Sequence, residues 1–178
     1  MEIDFVPGLP FTQGRLNVFI APADMFAAFF NETLNFQRFM TLFVCGNYSL
    51  LANRIDRSMS NFDVRRAFTS YQLLTILQEN YHTIVILEHD SALYEGDREM
   101  RIFLAKALEE LSQTSIVILF APKMDAALSQ VLKEVKQLFF YGASGEFIPG
   151  PEVLGEVHTK KSGKFCRQEI LEVCYSDE

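Results

Sequence analysis

The 178-residue sequence has few cysteines, no excess of basic residues and no long apolar run, and each shortage excludes a class of protein. Its three cysteines, Cys45, Cys166 and Cys174, are widely spaced and form no C-x-x-C pair, which is typical of reduced thiols rather than of a disulfide framework. Cys45 is predicted to pack inside a strand. Every apolar run is interrupted well before the roughly 20 residues that cross a bilayer, so no membrane-spanning helix is expected.

The charge balance and the N-terminal segment bear on nucleic-acid binding and on cellular location. Acidic residues outnumber basic ones by 23 to 16, which gives a formal net charge of −7. Proteins that coat nucleic acid neutralise its phosphates with Lys and Arg, so this balance excludes binding through the whole surface and leaves only local basic patches. The opening MEIDFVPGLPF has acids and prolines where a secretory signal needs basic residues and an uninterrupted apolar stretch. A cytoplasmic location is therefore expected.

The sequence contains enough hydrophobic residues to form one large core. Hydrophobic residues make up 49% of the chain, and a chain of this length is expected to form a single domain over residues 1–178. The composition changes after Gly142, where Gly, Pro and Ser become frequent. We expect an α/β core over 1–142 and an extension over 143–178, in which an antiparallel β-hairpin turns at Lys161-Ser162-Gly163-Lys164 and lies at one sheet edge.

Apolar runs of strand length alternate with longer segments of helical periodicity, a pattern typical of α/β folds. The predicted fold class is a three-layer sandwich with a mainly parallel central sheet. Strands are predicted at Leu16–Ile20, Thr41–Cys45, Phe62–Arg65, Thr83–Leu87 and Ser115–Phe120. The last two lack alternation, which predicts that both their faces are covered. Helices are predicted at 71–77, Met100–Leu111 and Asp125–Leu138, the last with Asp125 as its cap.

Three segments carry a resemblance to a known family. PGLPFTQGRLNVFIAP has a Gly-containing turn before the first core strand, residues 61–68 lead into a helix that bears Gln72, and TIVILEHDS ends an apolar strand at Glu88. In this order the segments resemble the ATPase core of the RecA, RadA and KaiC family over most of the chain. TIVILEHDS is similar to the Walker B strand, and Glu88 stands where the family carries its metal-associated Asp. The resemblance implies a RecA-like sheet.

The family's phosphate-binding loop is missing from this sequence. After the first core strand the family carries G-x-x-x-x-G-K-[ST], whose glycines let backbone amides surround phosphate and whose lysine reaches the outer phosphates. Here the strand is followed by Ala21, Pro22, Ala23, Asp24 and Met25. Pro22 lacks an amide donor and Asp24 would repel phosphate. The resemblance therefore implies a degenerate member without P-loop ATPase activity, and no cofactor is expected.

Superfamily members that lack this loop look like partners of active recombinases. The resemblance thus implies a non-catalytic binding or assembly module, an accessory partner of an active recombinase or ATPase in DNA recombination or repair. The expected partner is a protein, either another copy of the chain or a RecA-family recombinase, with DNA as a further candidate and no membrane. Two alternatives stay open: a metal-dependent nuclease or phosphotransfer enzyme, and a nucleotide binder with an unconventional loop.

Acidic residues supply the candidate metal site. Glu88 and Asp90 follow a predicted strand, at the edge where open α/β sheets bind ligands, and carboxylates there could hold Mg²⁺. Asp24 follows another strand and is expected to reach the same edge. The alternative reading is that Asp90 belongs to the start of the helix near Arg98, since helix N-termini favour Asp. The scattered histidines, His82, His89 and His158, give no sign of nucleophilic catalysis.

Two surfaces are candidate contact sites. A basic cluster on the predicted C-terminal hairpin could contact phosphate, although solvated surface charge is the alternative. Its residues are Lys160, Lys161, Lys164 and Arg167. The helix after the first core strand carries Phe26, Phe29 and Phe30, more aromatic residues than one face needs, which predicts a protein interface with core packing as the alternative. Phe140-Tyr141-Gly142-Ala143 matches the Phe-x-x-Ala pattern found between RecA-family subunits.

Overall fold

The computed structural model describes residues 1–6, 9–33, 38–56, 60–94 and 98–142. Its strands are β1 (Glu2–Val6), β2 (Leu9–Thr12), β3 (Leu16–Ile20), β4 (Thr41–Cys45), β5 (Phe62–Arg66), β6 (Ile84–Glu88), β7 (Ile116–Ala121) and β8 (Leu138–Gly142). The helices are α1 (Ala23–Glu32), α2 (Ser70–Gln78), α3 (Arg98–Thr114) and α4 (Ala126–Leu132), and a 3₁₀ turn covers Ser91–Tyr94. From β3 onward helices follow the strands, except that β4 is followed directly by β5.

Six strands form the central sheet in the order β5-β4-β6-β7-β3-β8. Every adjacent pair is parallel, which confirms the predicted α/β fold class. Four of these strands, β3, β4, β6 and β7, are buried along their whole length, so the prediction of coverage on both faces is confirmed for β6 and β7. The edge strand β5 differs, because four of its five residues are exposed.

The sheet separates two hydrophobic clusters, which gives the three layers of the sandwich. On one face, alternate strand residues such as Val85 and Leu87 pack against α2, α3 and α4, with Leu104 and Leu108 of α3 among the buried residues. On the other face, the intervening residues such as Ile86 pack against α1 and the segment after β4. Side chains of a strand point alternately to the two faces, so each buried strand contributes to both clusters.

The antiparallel hairpin of β1 and β2 was not predicted from the sequence. It attaches to the α1 face of the sheet, where Phe11 is fully buried and meets Phe19 edge to face at 6.2 Å between ring centroids. Asn17, buried in β3, holds the end of the hairpin against the sheet. Its side-chain oxygen accepts from Thr12 N–H at 3.2 Å, and its side-chain amide donates to Val117 O at 3.0 Å. Gly14 makes the turn into β3 with φ of 93°, a conformation that favours glycine.

One predicted helix is too long. Its start is confirmed, because the Asp125 carboxylate accepts from Leu128 N–H at 2.8 Å and caps α4. The helix ends at Leu132, however, and Val135 N–H then bonds the Leu132 carbonyl at 3.2 Å in a tight turn. Leu138, assigned to the helix from its periodicity, instead begins β8 and pairs with Leu16 of β3.

Part of the predicted architecture falls outside the described residues. The C-terminal hairpin, with Cys166 and Cys174, lies in the segment 143–178. Cys45 is described, and its predicted burial within a strand is confirmed. In the part of the chain that the structure covers, no helix has the length and apolar character needed to cross a membrane.

Candidate functional site

The carboxyl ends of β4 and β6 form the place where this topology favours a binding crevice. After β4 the chain continues to β5 at one side of the sheet, whereas after β6 it continues to β7 in the opposite direction. Ligands of open α/β sheets bind at such a switch point, because the two connections diverge and leave a gap between them. The residues that follow the two strands, and Glu88 at the end of β6, define the candidate site.

Glu88 is the buried acid of this site. Only 2% of the residue is exposed. The segment after β4 supplies its partners: the Ser49 hydroxyl donates to Oε2, Leu50 N–H donates to Oε1 at 2.6 Å, and Leu51 N–H also donates to the carboxylate. Burial raises the pKa of Glu88, a nearby Asp90 carboxylate adds to the rise, and the three hydrogen bonds oppose it. Glu88 therefore links β6 to the segment after β4.

Asp90 packs directly against the backbone at the end of β4. Its Oδ1 accepts from Ala92 N–H at 3.0 Å and so caps the 3₁₀ turn that follows. Its Oδ2 lies 2.0 Å from the position that a Cβ on Gly46 would occupy. Only glycine fits at position 46 with Asp90 in this place. The capping role foreseen for Asp90 is thus seen at the 3₁₀ turn rather than at α3.

A second group of polar side chains lies beside this crevice, where the chain leaves β6 and β7. His89 Nε2 is 2.8 Å from Asp125 Oδ2, and the imidazole stacks on Tyr94 with 5.3 Å between ring centroids. Within the described residues, the buried His89 Nδ1 and Tyr94 hydroxyl have no hydrogen-bond partner. Burial works to raise the pKa of Asp125, but hydrogen bonds from Leu128 N–H and His89 outweigh it and lower that pKa. Burial raises the pKa of Tyr94.

The segment that the sequence analysis compared with a phosphate-binding loop is the connection between β3 and α1. Only Ala21 and Pro22 separate β3 from α1. Met25 N–H and Phe26 N–H donate to the Pro22 carbonyl, at 3.0 and 3.2 Å, and no side chain caps the helix. Asp24 lies in the first turn of α1, with 87% of its side chain exposed and paired with Arg54 from the segment after β4. The amides of Met25 and Phe26 are therefore used within the helix.

Each of the candidate metal ligands already contacts a neighbouring residue of the protein. Glu88 uses its oxygens for Ser49 and Leu50, Asp90 uses one for Ala92, and Asp24 pairs with Arg54. Across residues 1–142, outside the four short gaps, no three His, Cys, Asp or Glu side chains are arranged so that they could hold a metal ion.

The aromatic residues of α1 require a correction. Phe26 and Phe30 were candidates for a protein interface, but both are buried in the core between α1 and the sheet. Phe26 packs against Phe120 with 4.6 Å between ring centroids, and Phe30 packs against Phe62 at 5.5 Å. Phe29 is half-buried and meets Phe19 edge to face. This face of the sheet is covered by α1, the hairpin of β1 and β2 and the segment after β4, and the large side chains of α1 are part of its core.

The remaining candidates have separate positions. Phe140 of the Phe-x-x-Ala segment is partly buried against the core on β8, and Ala143 lies outside the described residues. The predicted basic cluster also lies outside them: Lys160, Lys161, Lys164 and Arg167. Its possible role in binding nucleic acid stays a prediction.

Several residues of the site could not be identified from the sequence. Glu88 is contacted by residues 38 and 39 positions away in the sequence, and His89 by a residue 36 positions away. No local sequence pattern predicts such contacts. No sequence pattern identified Tyr94 as a residue of the site either. Gly46 was the one available hint, because a glycine directly after a buried strand often marks a close approach of other atoms to the backbone.

Comparisons with known proteins add one relative. The chain is similar to an uncharacterized protein of Archaeoglobus fulgidus, with 33% identity over 113 residues. The matched part is 63% of this chain and 57% of the relative, so the chain spans little more than half of that protein's length. No protein-family model matches the sequence.

Proposed function

We propose that this chain is a non-catalytic RecA-like binding or assembly module, located in the cytoplasm, which acts as an accessory partner of an active recombinase or ATPase in DNA recombination or repair. The partner is a protein, and the proposal assigns its binding to one side of the sheet. The observation that carries the proposal is that β5 is an edge strand among the described residues and is bordered by exposed apolar side chains.

The connection between β3 and α1 supports a role without P-loop chemistry. A phosphate cradle needs several free amides and a cation at the start of the helix. At this position Pro22 has no amide hydrogen, and the amides of Met25 and Phe26 bond the Pro22 carbonyl. The nearest charge is the Asp24 carboxylate, whose partner Arg54 comes from another segment. A triphosphate would have to displace these contacts and overcome the repulsion of the carboxylate.

The β5 edge surface supports a protein partner. Among the described residues β5 pairs with β4 alone, so its other edge presents unpaired backbone donors and acceptors. Val64 on this strand is 40% exposed, Phe68 directly after it is 54% exposed, and Tyr71 on the first turn of α2 is 72% exposed. We call Val64, Phe68 and Tyr71 the β5 edge surface.

Physical arguments indicate what such a surface binds. An exposed edge strand is a template for pairing with another chain, and proteins usually blunt it with charge, proline or a covering element. Charged residues do occur on β5, namely Asp63, Arg65 and Arg66, and Arg65 forms an ion pair with Glu79 at 3.7 Å. The β5 edge surface beside them is nevertheless exposed and apolar. Aromatic side chains are enriched in the centres of protein interfaces. The surface therefore suits an extended segment of a protein partner that adds to the sheet.

Binding to a purified recombinase of the same organism tests the proposal. Isothermal titration calorimetry with the full-length chain is expected to give saturable binding, and the double variant Phe68→Ser, Tyr71→Ser is expected to weaken it at least tenfold. Phe103→Ser is the matched control, because Phe103 is 47% exposed but lies on α3. Equal affinities for the wild type and both variants would remove the β5 edge surface from the proposal, and no binding by any form would count against the recombinase as partner.

The enzyme alternatives give a different result in a simple assay. A metal-dependent enzyme that uses Glu88 and Asp90, or a nucleotide binder with an unconventional loop, should gain thermal stability from ATP with Mg²⁺. Glu88→Ala would remove that gain. The proposed binding module shows no such gain in either form, because Glu88 already receives donors from Ser49, Leu50 and Leu51.

A further inference from the structure

His82 is a buried histidine with an oxygen acceptor beside each ring nitrogen. It lies just before β6 and is 3% exposed. Its Nε2 is 2.8 Å from Asp63 Oδ2 on β5, and its Nδ1 is 3.0 Å from Asn80 Oδ1. The contact with Asp63 crosses over β4, which lies between β5 and β6 in the sheet.

The orientation of the Asn80 amide is fixed by its other contacts. Asn80 Nδ2 donates to the His82 carbonyl at 3.1 Å and contacts Ser115 Oγ at 3.3 Å, while Asn80 Oδ1 accepts from His82 N–H at 3.2 Å. Ser115 Oγ itself donates to the His82 carbonyl at 2.7 Å. A flipped amide would place its NH₂ group against His82 N–H and its oxygen against a carbonyl. The atom that faces His82 Nδ1 is therefore an acceptor.

We propose that His82 is a doubly protonated imidazolium that clamps the edge strand β5 to the start of β6, and that the clamp opens when the ring loses a proton. A neutral imidazole has one N–H and one lone pair. In either neutral tautomer, one lone pair would face the oxygen of Asp63 or of Asn80. In the cation, both nitrogens donate, so this form alone satisfies both contacts.

The surroundings of the ring fit a cation. Charged groups on the neighbouring elements are Asp63 and Arg65 on β5 and Glu79 at the C-terminal end of α2; Arg65 and Glu79 pair with each other, so Asp63 is the carboxylate in contact with His82. The segments that contribute Asn80 and Ser115 offer neutral polar groups. Tyr81 stacks on the imidazole with 4.4 Å between ring centroids, and an aromatic face attracts a cation.

His89 provides an internal contrast. It too contacts a carboxylate, through Nε2 and Asp125, but its buried Nδ1 has no partner among the residues described. Of the two histidines, His82 alone has an acceptor within hydrogen-bond distance of both ring nitrogens in the part of the chain that the structure describes. Loss of a proton from His82 would leave one of its two contacts without a donor, and this is the step that opens the clamp.

The test is nuclear magnetic resonance on the full-length protein labelled with ¹⁵N-histidine, with His82→Gln and His89→Gln used to assign the signals. At pH 6, both ring nitrogens of His82 are expected to be protonated. Hydrogen exchange of the β5 amides that bond β4 supplies the second readout. Relative to the intrinsic exchange rates, their protection is expected to fall about tenfold between pH 6 and pH 8.5.

Matched variants separate the clamp from general pH effects. Asp63→Asn should remove the pH dependence of β5 protection, because it removes the carboxylate that holds the cation. Asp125→Asn changes the equivalent partner of His89 and should leave the β5 response intact. A neutral His82 at pH 6 would overturn the proposal, as would an unchanged pH response in Asp63→Asn. If Asp63→Asn does not fold, the protonation state of His82 in the wild type decides alone. The clamp does not depend on the proposed partner.

Discussion

Replacing Gly46 with alanine tests the close packing of Asp90 against the residue that follows β4. A Cβ at this position would lie 2.0 Å from Asp90 Oδ2, 2.7 Å from Cγ and 2.8 Å from Cβ. Ordinary carbon contacts are about 3.5–4.0 Å, so the whole Asp90 side chain must move. Because the Asp90 Cβ is also too close, rotation of the carboxylate alone does not relieve the clash.

The cost has two parts. Overpacking a tight site costs about 1–3 kcal/mol, and displacement of Asp90 weakens its bond to Ala92 N–H, which is worth about 1 kcal/mol at this partly exposed position. We expect Gly46→Ala to lower the free energy of unfolding by about 3 kcal/mol. For a domain of this size, that corresponds to a fall in Tm of roughly 6–12 °C.

The assay is chemical denaturation at pH 7, followed by circular dichroism, on a double-mutant cycle. In an Asp90→Gly background the clashing side chain is absent, so adding Gly46→Ala should cost less than about 1 kcal/mol. The difference between the two backgrounds measures the contact between positions 46 and 90. An equal cost of Gly46→Ala in both backgrounds would refute the close packing of Asp90 on this strand end.

Three further outcomes are expected from denaturation experiments. Burial raises the pKa of Glu88, so the wild type should lose stability as the pH rises above the ordinary value of 4.5, and Glu88→Gln should lack that slope. Hydrogen bonds lower the pKa of Asp125, so Asp125→Ala should cost about 1–2 kcal/mol at pH 7, a difference that shrinks as the pH falls below 3.8. Phe30→Ala should cost about 3–5 kcal/mol because the ring is fully buried, whereas the exposed Phe103→Ala should cost less than about 0.5 kcal/mol.

Most of the sheet could be predicted because its strands are apolar on both faces. The runs that became β3, β4, β6 and β7 are rich in β-branched and aromatic residues and end within one residue of the predicted positions. The end of α4 could not be found in the same way, since Leu138 continues the helical periodicity although it begins β8. The aromatic run LFFYG was a signal for that strand. The hairpin of β1 and β2 could not be predicted, because the glycine and prolines between and within its strands interrupt the sequence pattern of a strand.

The candidate site was predictable only in part. The placement of Glu88 and Asp90 past a central strand followed from the order of strands and helices, and Asp125 followed from capping preference. Their contacts could not be predicted from the sequence, because Ser49, Leu50 and Gly46 come close to them only through the pairing of β4 with β6. Burial of Phe26 and Phe30 could not be foreseen either, since it depends on how few elements cover that face of the sheet.

A titration of the ¹⁵N-labelled full-length protein with ATP and Mg²⁺ tests the central claim most directly. The amide signals of Ala21, Ala23, Asp24 and Met25 report on the connection between β3 and α1, where a P-loop ATPase would hold phosphate. The account predicts that these signals stay unchanged at millimolar nucleotide, because two residues, one a proline, join β3 to α1 there. Saturable shifts of these amides, lost when Mg²⁺ is withdrawn, would contradict it.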